Sequence, residues 1–254
     1  MVPYVELTEI PLGEGVRLSV FGTLVVLGVL SGARVAERRA RAAGIGEPVI
    51  HAAILWTVLP GFVVAHAAAI LPRDGTLTPR LAFEFWNGMS SFGGFSGAAL
   101  GLAVYATRLP RGLWLPVADI LVQALVVGWV FGRLGCFLVH DHIGRSSTSW
   151  LAVAFPDGSR HDLGLYELVF TLGVLVPAVV ALNRAARPPG ATIAVVALLY
   201  APARFFADFL RHTDLPGADA RYAGLTLSQY GCLVLAAIGI AFRWRILRPA
   251  ARSS

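Results

Sequence analysis

The chain has 254 residues, 56% of them hydrophobic and 14% charged, with a formal net charge of +6. A soluble domain carries about a quarter charged residues, so the composition excludes an ordinary water-soluble enzyme, and the length is better counted in membrane spans of about 20 residues each. The positive balance reads as a topology signal and an attraction to anionic lipid heads; nucleic acid is excluded as a partner because no basic cluster falls on a predicted soluble domain.

Residues 1–15 carry Glu6, Glu9 and Glu14 and no base before Arg17. That is not the basic lead of a signal peptide, and the segment reads as short, amphipathic or extended, on the outer face. Seven apolar stretches follow, at 18–33, 48–72, 85–107, 114–138, 164–183, 190–211 and 222–242. The expected fold is therefore all-α, a single membrane domain over 1–254 with about seven transmembrane helices. Every basic residue is arginine, and the arginines alternate in placement. Arg34, Arg38, Arg39 and Arg41, then Arg108 and Arg111, then Arg184 and Arg187, then Arg243, Arg245, Arg248 and Arg252 fall on one face. Arg17, Arg73, Arg80, Arg145, Arg160 and Arg221 fall on the other, with much of the acid, including Asp74, Asp157 and Asp214. The positive-inside bias puts the N-terminus outside and the C-terminus in the cytoplasm.

Charges at membrane depth are the informative residues, because they are costly there and usually face the protein interior or a wet cavity. Arg133 sits near the outer end of the fourth stretch, followed by Asp141, Gly144 and Arg145. Arginine's fixed donor fork matches phosphate, so this cluster either binds an anionic headgroup or forms an internal Arg–Asp pair that holds the helix end. Arg204 and Asp208, four apart, share a helix face and are open to the same two readings. Asp119, toward the cytoplasmic end, is a candidate partner for an arginine. In the third stretch Gly93, Gly94 and their small neighbours either pack a helix, line a slot for a lipid, or break the helix to expose backbone. His66, His140, His142 and His161 are candidate bases by type, although a lone histidine is more often structural. Tyr166 and Glu167 open the fifth stretch, one as an interface anchor and the other as an orienting acid. Cys136 and Cys232 show no metal-ligand spacing, and no nucleotide, zinc-protease or serine-hydrolase motif is present. Neither a cofactor nor a metal is expected.

These residues, in this order, resemble the bacterial prolipoprotein diacylglyceryl transferase family over most of the chain. The family signature GRxGNFxNGExxGR is matched at Arg133, Gly135, Phe137, Gly144 and Arg145, with Asp141 in place of the glutamate. His161-Asp162-Leu163-Gly164-Leu165-Tyr166-Glu167 falls where the family has HPxxLYE. Ala203 to Arg211 falls on GRFxxEFxR, and Leu225-Thr226-Leu227-Ser228-Gln229 on L(T/S)xxQ. The resemblance implies an inner-membrane, multi-pass, monomeric enzyme. It would move the diacylglyceryl group of phosphatidylglycerol to the lipobox cysteine thiol of a prolipoprotein, recognised through its signal peptide. It further implies that Arg133 and Arg204 hold and polarise the phosphate, that Asp141 orients an arginine or the headgroup, and that Tyr166 lines the same cavity. The chain departs from the family at several positions. Ser91-Phe92-Gly93-Gly94 lacks the histidine of the SFHGG core, Cys136 and Val139 replace two asparagines, and Phe21-Gly22 replaces a YG pair. Gly61 to Ala65 lacks the arginine of a GARxxH-like element that keeps His66. With that histidine gone, either His66, His140 or His142 supplies the base or the substrate thiol ionises without one. The other readings are a transferase with a different acceptor, a phospholipid-binding paralogue without chemistry, and a small anion transporter, which lacks an obvious inverted repeat.

Overall fold

The computed structural model describes residues 1–13, 16–70, 89–216 and 218–247. Expectations placed on Glu14, Arg73, Asp74, Arg80, Arg248 and Arg252, and on the start of the third stretch, lie outside the described residues. Helices carry the fold. In chain order they are Val20–Ala42 (α1), Glu47–Ile70 (α2), Ser91–Ala106 (α3), Trp114–Val139 (α4), Leu163–Phe170 (α5), Val176–Leu182 (α6), Ala191–Ala207 (α7) and Leu227–Leu247 (α8). A π-helical turn, Thr171–Leu175, joins α5 to α6, and a 3₁₀ turn, Asp208–Leu210, extends α7. Among the described residues, six helical segments are long and apolar enough to cross a membrane, while α3 has 16 residues.

The sequence reading missed the strands. Val2–Pro3 (β1), Ile143–Ser146 (β4), Val153–Phe155 (β5) and Gly158–Asp162 (β6) form a sheet in the order β1-β5-β6-β4. Glu9–Gly13 (β2) pairs with Val16–Ser19 (β3), and Arg221–Tyr222 (β7) with Leu225–Thr226 (β8). The acidic N-terminal segment is thus extended, and β3 runs straight into α1.

Three further expectations are corrected. The Arg34–Arg41 stretch, read as a loop, is the last part of α1, because arginine and alanine are strong helix formers and a charge ends an apolar run without ending a helix. The last helix begins at Leu227 rather than 222, since a hairpin with Ala223 and Gly224 at φ 48° and 83° precedes it. The Gly93–Gly94 pair does not break α3: Ser90 caps the helix by accepting from the Gly93 amide, and the helix runs on through both glycines.

The chain divides into two compact units, Ala36–Leu121 and Met1–Val35 with Val122–Ser254. In the first, α3 lies on α2 through Gly93, Gly97 and Gly101, one turn apart. A Cβ on Gly101 would stand 1.8 Å from the Trp56 carbonyl oxygen, and one on Gly97 2.3 Å from that of Pro60. Pro60 has no amide to give the Trp56 carbonyl four residues back, so a backbone acceptor of α2 is left bare where Gly101 presses in. Cα–H to carbonyl contacts of this kind are worth about 0.5–1 kcal/mol each. In the second unit, α4, α5, α7 and α8 come together at the ends nearest the four-stranded sheet, and their interior is polar.

Candidate ionic site

Four charged side chains from three consecutive stretches meet in that interior, all under one tenth exposed: Arg133 of α4, Glu167 of α5, Arg204 of α7 and Asp208 just beyond it. Arg133 Nε lies 3.2 Å from Glu167 Oε2, and Arg204 Nε lies 3.4 Å from Glu167 Oε1. Arg204 Nη2 reaches Asp208 Oδ1 at 2.8 Å, the four-residue pair expected on a helix face. The two guanidiniums therefore converge on one carboxylate. Formal charges sum to zero, which is the arrangement that makes burial of ions tolerable.

Each arginine has an aromatic residue one turn earlier in its own helix. The Arg133 guanidinium lies 4.2 Å over the Trp129 ring, and Tyr200 precedes Arg204 by four. The two rings meet edge to face at 6.2 Å, and the Tyr200 hydroxyl donates to Glu167 Oε2 at 2.8 Å. Asp208 accepts a short bond from the Thr226 hydroxyl. Gln229 accepts from the Thr226 amide at 2.9 Å and donates to the Phe205 carbonyl at 3.1 Å, tying α8 to α7. Trp129, Tyr200, Thr226 and Gln229 are the supporting residues the sequence reading left out of the site, although an aromatic four residues before each buried arginine was there to be seen. Not every donor is used. Arg204 Nη1 is buried without a hydrogen-bond partner among the described residues, and the Nε contacts to Glu167 are close ion pairs rather than aligned bonds.

The end of α4 places a second group of side chains. His140, at φ 50°, stands in the left-handed region where the family signature has glycine. The Asp141 amide returns to the Cys136 carbonyl and the His140 amide to that of Phe137, both at 3.4 Å. This is a helix stop of the Schellman type. A non-glycine residue there costs about 1–2 kcal/mol, and His140 offsets it with contacts on every side. Its Nδ1 lies 2.6 Å from Asp162 Oδ2, its Nε2 donates to the Val5 carbonyl at 3.2 Å, and its ring stacks on Tyr4 at 4.7 Å. Burial pushes the Asp162 carboxyl above the usual range, with the His140 bond opposing that shift. Asp162 also caps α5 by accepting from the Leu165 amide at 2.9 Å.

Asp141 is half-exposed and lies 2.5 Å from His142 Nδ1; Cys136 is close to both and accepts from Arg133 Nη1 at 3.6 Å. Gly144 is buried where β4 meets the end of α7, and a Cβ there would stand 2.6 Å from His161 Cβ and 2.7 Å from the Leu210 carbonyl oxygen. Arg145 is exposed. The Tyr166 hydroxyl lies 2.6 Å from His161 Nδ1. Burial first, and the Arg145 charge second, hold the His161 imidazole below its ordinary range. Arg160 grips Asp214 through two nitrogens, at 3.2 and 2.6 Å, and lowers that carboxyl to about 2.

Of the residues expected to form one site, the second unit thus brings Arg133, Arg204, Glu167 and Asp208 into direct contact. It sets Asp141, Gly144, Arg145, Tyr166 and His140 around the adjoining end of the helices. His66, Gly93 and Gly94 belong to the other unit, where His66 is buried in α2 and a Cβ on Gly93 would stand 2.7 Å from the Val64 carbonyl oxygen.

Among the described residues, six membrane-length helical segments and a compensated cluster of buried ions at the sheet-bearing end of four of them define a multi-pass membrane protein with a buried ionic site. The model of the prolipoprotein diacylglyceryl transferase family matches residues 10–245, and the chain belongs to that family. It is 32% identical to the phosphatidylglycerol–prolipoprotein diacylglyceryl transferase of Nitratidesulfovibrio vulgaris strain Miyazaki F over 252 residues, covering 91% of this chain and 92% of that one. It is 33% identical over 178 residues to the enzyme of that name from Rhizobium meliloti, covering 67% and 62%. It is 28% identical over 218 residues to the second such enzyme of Clostridium perfringens, covering 80% and 84%. Family and architecture together place the chain in the bacterial inner membrane as a multi-pass protein with a phospholipid substrate.

Proposed function

We propose that this chain transfers the diacylglyceryl group of phosphatidylglycerol to the lipobox cysteine thiol of a prolipoprotein. The observation that carries the reading is the convergence of two buried guanidiniums on Glu167 with the Arg204 Nη1 donor unused. In the reaction the acceptor thiol gives its proton to solvent and its sulfur forms a bond to the terminal glyceryl carbon. The bond from that carbon to the phosphate oxygen breaks, and glycerol phosphate leaves with the electron pair. Arg133 and Arg204 hold the phosphate and take up the charge that grows on the departing oxygen, in a site where donors are already oriented. Glu167 keeps the two guanidiniums in register and offsets their charge in the resting state, and Asp208, held by Thr226, fixes Arg204. Gly144, Arg145 and Tyr166 frame the headgroup side. His140 is structural in this reading, because both of its ring nitrogens are engaged. Seven spans, with the N-terminus and the sheet on the outer side, would present the site to translocated signal peptides.

Gly93 in place of the expected histidine favours one alternative, a phospholipid-binding paralogue without chemistry. A transfer assay separates the two. The protein in phosphatidylglycerol micelles is mixed with a lipobox peptide, and mass spectrometry follows the peptide cysteine. A diacylglyceryl mass gain that Arg133→Ala and Arg204→Ala abolish is expected. A folded, phosphatidylglycerol-binding protein that gives no gain would favour the paralogue.

A further inference from the structure

We infer that Cys136, Asp141 and His142 form a site for a divalent transition-metal ion, zinc in the first instance, whose open position takes the acceptor thiol. The inference rests on the transfer reading above for the identity of that thiol, and it reverses the expectation of no metal drawn from sequence spacing. The ligand atoms of the three side chains lie within 4.8 Å of one another, with Asp141 Oδ1 and His142 Nδ1 at 2.5 Å. Ligands about 2.0–2.3 Å from a tetrahedral zinc sit roughly 3.3–3.8 Å apart, so the Asp141–His142 hydrogen bond would open by about 1 Å through side-chain rotation as the ion enters between the three groups. Backbone geometry makes the cluster, since the helix stop at His140 folds the Asp141 amide back onto the Cys136 carbonyl.

The donor set is specific. One thiolate, one imidazole and one carboxylate suit zinc, and three protein ligands with a fourth place left open is the pattern of catalytic rather than structural zinc. Exposure follows that division, with Cys136 buried and Asp141 half-exposed, so the cluster has a closed side and an open one. The charges also close: thiolate and carboxylate cancel a divalent ion. Arg133, 3.6 Å from the sulfur, is offset by Glu167 and donates to the thiolate from outside the shell. Cys136 stands where the family signature has asparagine, so the proposed site is a feature of this chain. The chain also lacks the histidine of the SFHGG core. A metal-bound thiol is deprotonated outright, which supplies the nucleophile without a protein base. The acceptor thiol would give its proton to solvent on binding. Its sulfur pair would then form the S–C bond as the C–O bond breaks toward the phosphate held by the arginines, and the metal would keep its oxidation state.

The test uses cobalt(II) as a spectroscopic probe on the full chain in nanodiscs after chelation. One equivalent is expected to raise a thiolate-to-cobalt charge-transfer band. Cys232→Ser should keep the band, Cys136→Ser should lose it, and Asp141→Asn and His142→Ala should each weaken cobalt affinity more than about tenfold. Asp141 is half-exposed, so its variant remains informative should Cys136→Ser fail to fold. Adding a lipobox peptide should intensify the band, and the same peptide with serine for cysteine should not. No band at one equivalent, or a band that survives Cys136→Ser or is indifferent to Asp141→Asn, overturns the site. A band indifferent to the thiol peptide overturns its role toward the acceptor. A complete spectral response without any diacylglyceryl mass gain would uphold the metal site and sink the transfer reading.

Discussion

The two units bury polar backbone and polar side chains by opposite means. Between α2 and α3 the side chains are removed: Gly93, Gly97 and Gly101 bring one backbone onto the other, and the carbonyl that Pro60 leaves bare meets glycine. Among α4, α5, α7 and α8 the polar groups are kept and cancelled, two arginines against two carboxylates, with aromatic rings and hydroxyls filling the rest. Packing in lipid gains nothing from expelling water between helices, so both solutions serve cohesion. Among the described residues, the second also keeps a buried guanidinium donor, Arg204 Nη1, without a hydrogen-bond partner. A shape-determined interface should therefore answer to volume and a charge-determined one to valence.

The largest effect should come from the shared acid. Glu167→Gln keeps the volume and removes the charge, leaving two buried guanidiniums against one carboxylate. Loss of about 3–5 kcal/mol is expected, read by reversible denaturation in bilayer-like detergent, together with loss of transfer. Pairing it with Arg133→Met restores neutrality, and the double variant should be less destabilised than the two single changes summed. Additive losses would break the claim that charge balance governs this unit. Next comes Arg204→Lys, which keeps the charge but not the fork; transfer should fall roughly a hundredfold or more with only minor change in stability. Third, Gly101→Ala should destabilise by about 1–3 kcal/mol through overpacking while each folded molecule keeps its rate. A folded variant without activity would erase the contrast between the units. The smallest effect is the pH dependence of the sheet end. His161 has a lowered folded-state value, so its contribution to stability is present above the ordinary 6.5 and is lost as pH falls below it. Arg145→Ala should make that acid-induced loss smaller, because the folded-state value rises toward the ordinary 6.5 when the charge is removed. Thermal melts between pH 7 and 5 would show it, and an unchanged profile would remove Arg145 from the account.

Much of this was legible in the residues. Long uncharged runs announce helices through hydropathy alone, and Arg133, Glu167, Arg204 and Asp208 stood out because each interrupts such a run. What could not be read was which of them meet, since Glu167 joins two arginines from helices far apart in sequence. Hydropathy also placed the end of α1 too early, at Arg34, because it registers transfer cost and not helix propensity. The four-stranded sheet was missed because its strands are only two to five residues long and carry no alternation to detect. His140 is a candidate base by residue type alone, while its double engagement depends on Val5 and Asp162, remote in the chain.

The cancellation in the ionic site has an electrical corollary. With two positive and two negative groups, the resting cluster presents no net monopole to the transmembrane field, so the membrane voltage exerts no net force on it. A phosphodiester entering the same place would arrive with one uncancelled negative charge. Work of about 2.3 kcal/mol per elementary charge per 100 mV across the full membrane, scaled by the fraction of the drop at that depth, would then act on the substrate and leave the protein itself electrically quiet.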